Sequence, residues 1–160
     1  MFLARNLSAG QTAELSALVD LEACWENLRA EPLTVERSAT LKQLQQKQKA
    51  YEAFHVKLVA YNKSYRPAHV PELLLNTAER LGAWCRTMSH LHLELPQGPQ
   101  THYPHHVLQK AYRWADKLSE RLKIERVARP GLDPVVSAAV RELEDLANWC
   151  TGLSPTRLAS

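Results

Sequence analysis

The sequence predicts an all-α fold, an up-down antiparallel bundle of about five amphipathic helices. Three observations predict it. Apolar residues recur at steps of three and four through most of the chain, which gathers them on single helical faces. Glycine is scarce, with 5 in 160 residues, whereas sheets need many tight turns. The 9 prolines fall mostly between the periodic segments and mark their ends. No segment combines sustained period-two alternation with β-branched enrichment, so no strand is required.

The first helix is expected over 12–29, with Thr12 as its N-cap and Leu15, Leu18, Leu21, Trp25 and Leu28 on one face. Pro32 closes that segment. The second is expected over 38–65, stopped by Pro67. Leu41, Leu44, Tyr51, Phe54, Leu58, Tyr61 and Tyr65 keep the three-four rhythm, and Gln48 fills the one skipped position. A glutamine in a seam needs a polar partner from a neighbouring helix.

The third helix is expected over 71–94, with Pro71 at its first position. Leu74, Ala78, Leu81, Cys85, Met88 and Leu95 form its seam, with Trp84 beside it. Pro96-Gln97-Gly98-Pro99 is a firm stop. The fourth, over 104–126, turns Val107, Leu108, Ala111, Ala115, Leu118 and Leu122 inward. Pro130-Gly131 breaks it. The fifth, over 134–150, has Asp133 as N-cap, and its face is Val136, Val140, Leu143, Ala147 and Cys150. Gly152 is the expected C-terminal cap, and a frayed tail is expected over 154–160.

A length of 160 residues fits one domain over 1–160, and 45% hydrophobic with 23% charged residues is ordinary globular usage. No apolar run approaches the roughly 18 residues of a membrane span. Met1-Phe2-Leu3-Ala4-Arg5 lacks the layout of a signal peptide. Cys24, Cys85 and Cys150 are odd in number and widely spaced. Buried reduced thiols in a cytoplasmic protein without membrane contact are therefore expected.

Histidines supply the first candidate chemistry. His90, His92, His102, His105 and His106 flank the Pro-Gly loop between the third and fourth helices. A zinc site needs three or four donors converging at about 2 Å. His90 and His92 cannot share one helical face, and no cysteine is nearby, so a polar helix-end surface is the expectation and no metal is assigned. Glu52-Ala53-Phe54-His55 has the spacing of di-iron carboxylate bundles, which place both ligands on one inward face. Those proteins need a second such motif, and the chain has none. No nucleophile elbow, phosphate-cradling loop or Cys-His arrangement appears, so neither catalysis nor a cofactor is signalled.

Charge is the most informative surface feature. Residues 1–37 carry 3 basic and 6 acidic side chains, 38–66 carry 6 and 1, and 107–129 carry 7 and 3. The overall +3 hides that sorting. On the fourth helix Lys110, Arg113, Lys117 and Arg121 recur at steps of 3, 4 and 4. They form a basic stripe about 125° from the centre of the apolar face, with Trp114 on the border. Such a stripe suits phosphates or an acidic protein; alternatively it is a solvated helix face, or it pairs with the acidic first helix of the same molecule. Tyr51, Tyr61 and Tyr65 share a face that could extend into a partner groove. The leading expectation is a non-enzymatic interaction or adaptor module that binds a protein partner or itself. The alternatives are a nucleic-acid-binding accessory protein using the second and fourth helices, and a metal-binding bundle using the histidine cluster.

Overall fold

A computed structural model describes residues 8–28, 33, 37–64, 71–94, 103–124 and 130–153. Its elements are α1 (Ala9–Leu28), α2 (Arg37–Ser64), α3 (Glu72–Glu94), α4 (His105–Ile124) and α5 (Asp133–Leu153), with a 3-10 turn at Pro130–Leu132. No strand occurs among the described residues. The expected all-α bundle is the fold.

Two helix ends differ from expectation. The cap of α1 is Ser8, not Thr12. Ser8 Oγ accepts from Gln11 N at 3.2 Å, and Gln11 Oε1 accepts from Ser8 N at 2.9 Å, a reciprocal capping box. Thr12 lies one turn in and donates its hydroxyl to Ser8 O at 3.0 Å. At the other end of the chain α5 runs through Gly152 to Leu153, so Gly152 is a last-turn residue rather than a cap. Leu95 and Tyr65 fall outside the described residues.

Side-chain pairs fix the direction of packing. Tyr61 hydroxyl reaches Glu14 at 3.3 Å, Lys57 lies 3.9 Å from Asp20, and Lys47 reaches Leu28 O at 2.9 Å. Numbers rise along α2 as they fall along α1, so the two are antiparallel. The α2–α3 pair is also antiparallel: Arg86 Nη2 meets Glu52 Oε1 at 2.8 Å, while His55 and Val56 face Ala78 and Glu79 across one cleft. One core runs through all five helices, centred on Phe54, Leu58, Leu74, Met88, Leu108, Leu122 and Leu143.

Gly82 sits where α2 and α3 come close. A methyl group there would lie 3.6 Å from both Tyr51 Cβ and Glu52 Cγ, an ordinary contact distance. A mid-helix glycine costs about 1 kcal/mol relative to alanine through backbone entropy. With room for the methyl, Gly82→Ala is expected to raise unfolding stability by about 0.5–1 kcal/mol, read as a higher urea midpoint at unchanged slope.

Leu41 is only half-buried, and two other expected seam residues do not enter the core. Leu15 is 50% exposed, since α1 fully buries Leu21, Trp25 and Leu28 and packs Ala17, Leu18 and Cys24 only partly against the core. Gln48 is half-buried and donates to Glu52 Oε1 at 3.1 Å on its own helix. The seam position belongs to Lys47 instead. Leu44, Lys47, Tyr51, Phe54, Leu58 and Tyr61 are all buried, at unbroken steps of 3, 4, 3, 4 and 3.

Candidate interaction surface

Beneath the surface lies a buried polar cluster. Lys47 Nζ donates to Glu142 Oε1 at 2.6 Å and to Leu28 O at 2.9 Å. Tyr51 hydroxyl donates to the same Glu142 oxygen. The side chains of Lys47 and Glu142 are 9% and 7% exposed. Leu28 ends α1, and Pro32, four residues on, has no N–H to offer its carbonyl; the Lys47 ammonium satisfies it. The cluster thereby pins three helices: the end of α1, the middle of α2 and the middle of α5.

Lys47 also lines a cleft of about 490 Å³ between α1 and α2, with Asn27, Gln43, Gln46 and Lys49. A cleft of about 320 Å³ on the α2–α3 side holds Glu52, His55, Glu79 and Arg86. Glu52 is exposed there, and hydrogen bonds from Gln48 and Arg86 hold its carboxyl below the usual carboxylate range. The Glu-x-x-His pair therefore faces an outer cleft rather than the bundle interior, and the di-iron arrangement is not formed.

The histidines do not converge. His92 is buried, with Nδ1 2.8 Å from Tyr103 Oη, while His90, His105 and His106 are exposed. His102 lies outside the described residues. Among the described residues no three metal-capable side chains come together. The rings of His92 and Tyr103 continue into Trp149, 5.8 Å from Tyr103, and Trp84, 5.5 Å from Trp149. Trp84 Nε1 is buried there with no acceptor among the described residues.

The tyrosine face also turns inward. Tyr51 and Tyr61 are buried at 3% and 2% exposure, so they build core rather than a partner groove. Burial holds the Tyr51 hydroxyl well above its ordinary value of 10.0, and the Glu142 carboxylate adds to it. Burial likewise raises the Cys85 thiol above 9.0 and pushes Cys150 up to about 12. Each acid keeps its proton in the folded chain at a pH where the unfolded chain loses it. Stability is therefore full below about pH 9 and is lost as pH rises, by about 1.4 kcal/mol per pH unit for each group. Urea melts between pH 8 and pH 11 are expected to show that decline, and Tyr51→Phe to leave its onset near pH 9 unchanged and reduce its slope above about pH 10.

What remains on the outside is the charge pattern. On α4, Leu108, Ala111, Ala115, Leu118 and Leu122 are buried, as expected, and Val107 is half-buried. Burial of that face turns Lys110, Arg113, Lys117 and Arg121 outward, all exposed, with Trp114 half-buried against the core at their edge. Among the described residues Lys110, Arg113 and Lys117 have no ion-pair partner. Lys123 is off the stripe. It pairs with Glu120 at 3.2 Å and Glu144 at 3.6 Å, and the Glu120 hydrogen bond leads the rise of its ammonium above the usual lysine value. Comparison with known families, curated proteins and solved structures finds no match to this chain. The surface must be interpreted from its own chemistry.

On α1, Glu22 and Glu26 are exposed and likewise without an ion-pair partner among the described residues. Asp20 of α1 does pair with a neighbouring helix, through Lys57 of α2 at 3.9 Å. Glu22 and Glu26 are therefore not joined to Lys110, Arg113 or Lys117 within the described part of one molecule. No described helix is long and apolar enough to cross a membrane.

Sequence reasoning missed Lys47 and Glu142. The available signal was position: a charged residue occupying an unbroken three-four series on α2, and a carboxylate inside the apolar face of α5.

Proposed function

We propose that the chain is a non-enzymatic interaction module that binds an acidic protein surface through Lys110, Arg113, Lys117 and Arg121, with Trp114 at the edge of the contact. The supporting observation is that the stripe is exposed and that Lys110, Arg113 and Lys117 have no ion-pair partner among the described residues. Helix stability does not account for it. Like charges four residues apart, as in Arg113–Lys117 and Lys117–Arg121, cost about 0.2–0.5 kcal/mol per pair. The helix dipole rewards only cations of the last turn, which covers Arg121 but not Lys110, Arg113 or Lys117.

The test is co-purification from the native host with wild-type chain and with the Lys117→Glu/Arg121→Glu double variant. Wild type should bring down an acidic protein that the variant releases, with unchanged helical circular dichroism. Retention of the same partner by the variant would remove the stripe from the function. Nucleic acid in the wild-type eluate, detected by absorbance ratio and released by salt, would move the stripe to the alternative reading.

A further inference from the structure

We infer that the acidic partner of the α4 stripe is a second copy of this chain, docked through the outer face of α1. This rests on the interaction-module reading and names its partner. Leu15, Val19, Glu22 and Glu26 follow one another at steps of 4, 3 and 4, so they share an arc of about 60° on α1. All four are exposed, and Leu15 and Val19 stand out at 50% and 56%. Burial of Leu21, Trp25 and Leu28 on the other side leaves this face unpartnered among the described residues.

The α4 stripe has a matching end. Ile124 continues it three residues beyond Arg121 and is 78% exposed. From N to C, α1 thus reads apolar, apolar, acidic, acidic, and α4 reads four cations and then an apolar residue. An antiparallel approach places Leu15 and Val19 beside Ile124 and the aliphatic stem of Arg121. It places Glu22 beside Lys117 and Glu26 beside Arg113. Leu15 to Glu26 and Ile124 to Arg113 both span eleven residue steps, about 16 Å of helix, so the two faces match in length as well as in order. A parallel approach that sets Glu22 and Glu26 beside Lys117 and Arg121 puts Leu15 against the charge of Lys110 and leaves Ile124 uncovered, so the pattern favours the antiparallel orientation. Each copy carries both faces. A symmetric pair uses two such contacts at once, and a head-to-tail array uses one per neighbour.

Charge exchange tests the contact. Light scattering after size exclusion, across a concentration series at about 0.05 M salt, should show association that weakens toward about 0.5 M. Glu22→Lys/Glu26→Lys makes both faces basic, and Arg113→Glu/Lys117→Glu makes both acidic. Each variant alone is expected to associate at least about tenfold more weakly than wild type. An equimolar mixture should regain association, because each basic face then meets an acidic one. Glu22→Gln/Glu26→Gln, with circular dichroism and melting on every variant, separates lost contact from lost fold.

A wild-type chain that stays monomeric at low salt would overturn the inference, as would a mixture of folded variants that fails to associate. A monomeric chain that still loses an acidic partner on Lys117→Glu/Arg121→Glu would leave the interaction module standing while removing self-association. Association restored by mixing, together with no other partner, would make self-assembly the whole of the stripe's role.

Discussion

Glu142→Ala is expected to lower the unfolding free energy by about 3–5 kcal/mol, read as a fall in the urea midpoint at unchanged slope. The carboxylate neutralises an ammonium that is itself buried, and it accepts from both Lys47 and Tyr51. Removing it strands a desolvated charge and a buried hydroxyl together. Lys47 would keep the Leu28 carbonyl and the Tyr51 ring, 5.8 Å from Nζ, neither of which neutralises its charge. Replacing both partners at once is different in kind. Lys47→Met/Glu142→Leu removes both desolvation penalties and is expected to be near neutral, or stabilising by about 1–4 kcal/mol. The loss in the single variant and its recovery in the double one would show that the pair is held for geometry rather than for net stability. Equal losses in both would show that the Leu28 carbonyl and the Tyr51 hydroxyl cannot be left unmatched.

This cluster marks the limit of what the sequence reveals. Periodicity gives the five helices because burial of one face per helix is what makes each of them stable. Leu108, Ala111, Ala115, Leu118 and Leu122 were legible on α4 for that reason, and so was the outward position of the basic stripe. Lys47 is legible only as a position in the series, because a charge in a seam is unfavourable unless an opposite charge meets it from a helix about 95 residues away. One sequence read along its length carries no information about that meeting. Leu15 failed for the opposite reason. Its spacing is right, but α1 has too few neighbours to cover its first two turns, and periodicity cannot count neighbours. Charge sorting already sets an acidic first helix against a basic fourth one; the outward faces add that Glu22 and Glu26 do not meet Lys110, Arg113 or Lys117 within the described part of one molecule.

Phe54→Ala carries the second large effect, about 3–5 kcal/mol from lost burial and the cavity left behind. Phe54 is 2% exposed and its ring lies 6.2 Å from that of Trp25, tilted by 58°. The consequence should be uneven along the chain. Three residues, Leu21, Trp25 and Leu28, hold α1 by burial, whereas α5 buries eleven, including Leu143, Leu146 and Trp149. Removing the ring against which Trp25 packs takes away a large part of the anchorage of α1 and little of that of α5. Local opening free energies follow buried contacts, so amide exchange should accelerate first and most across Ala9–Leu28. Val136→Ala on α5 gives the comparison: a smaller global loss with no preferential exchange in α1. Uniform acceleration in the Phe54 variant would show that α1 opens only with the whole bundle. Preferential acceleration would identify α1 as the least anchored helix, and Glu22 and Glu26 would then be presented on the element whose position most depends on what docks against it.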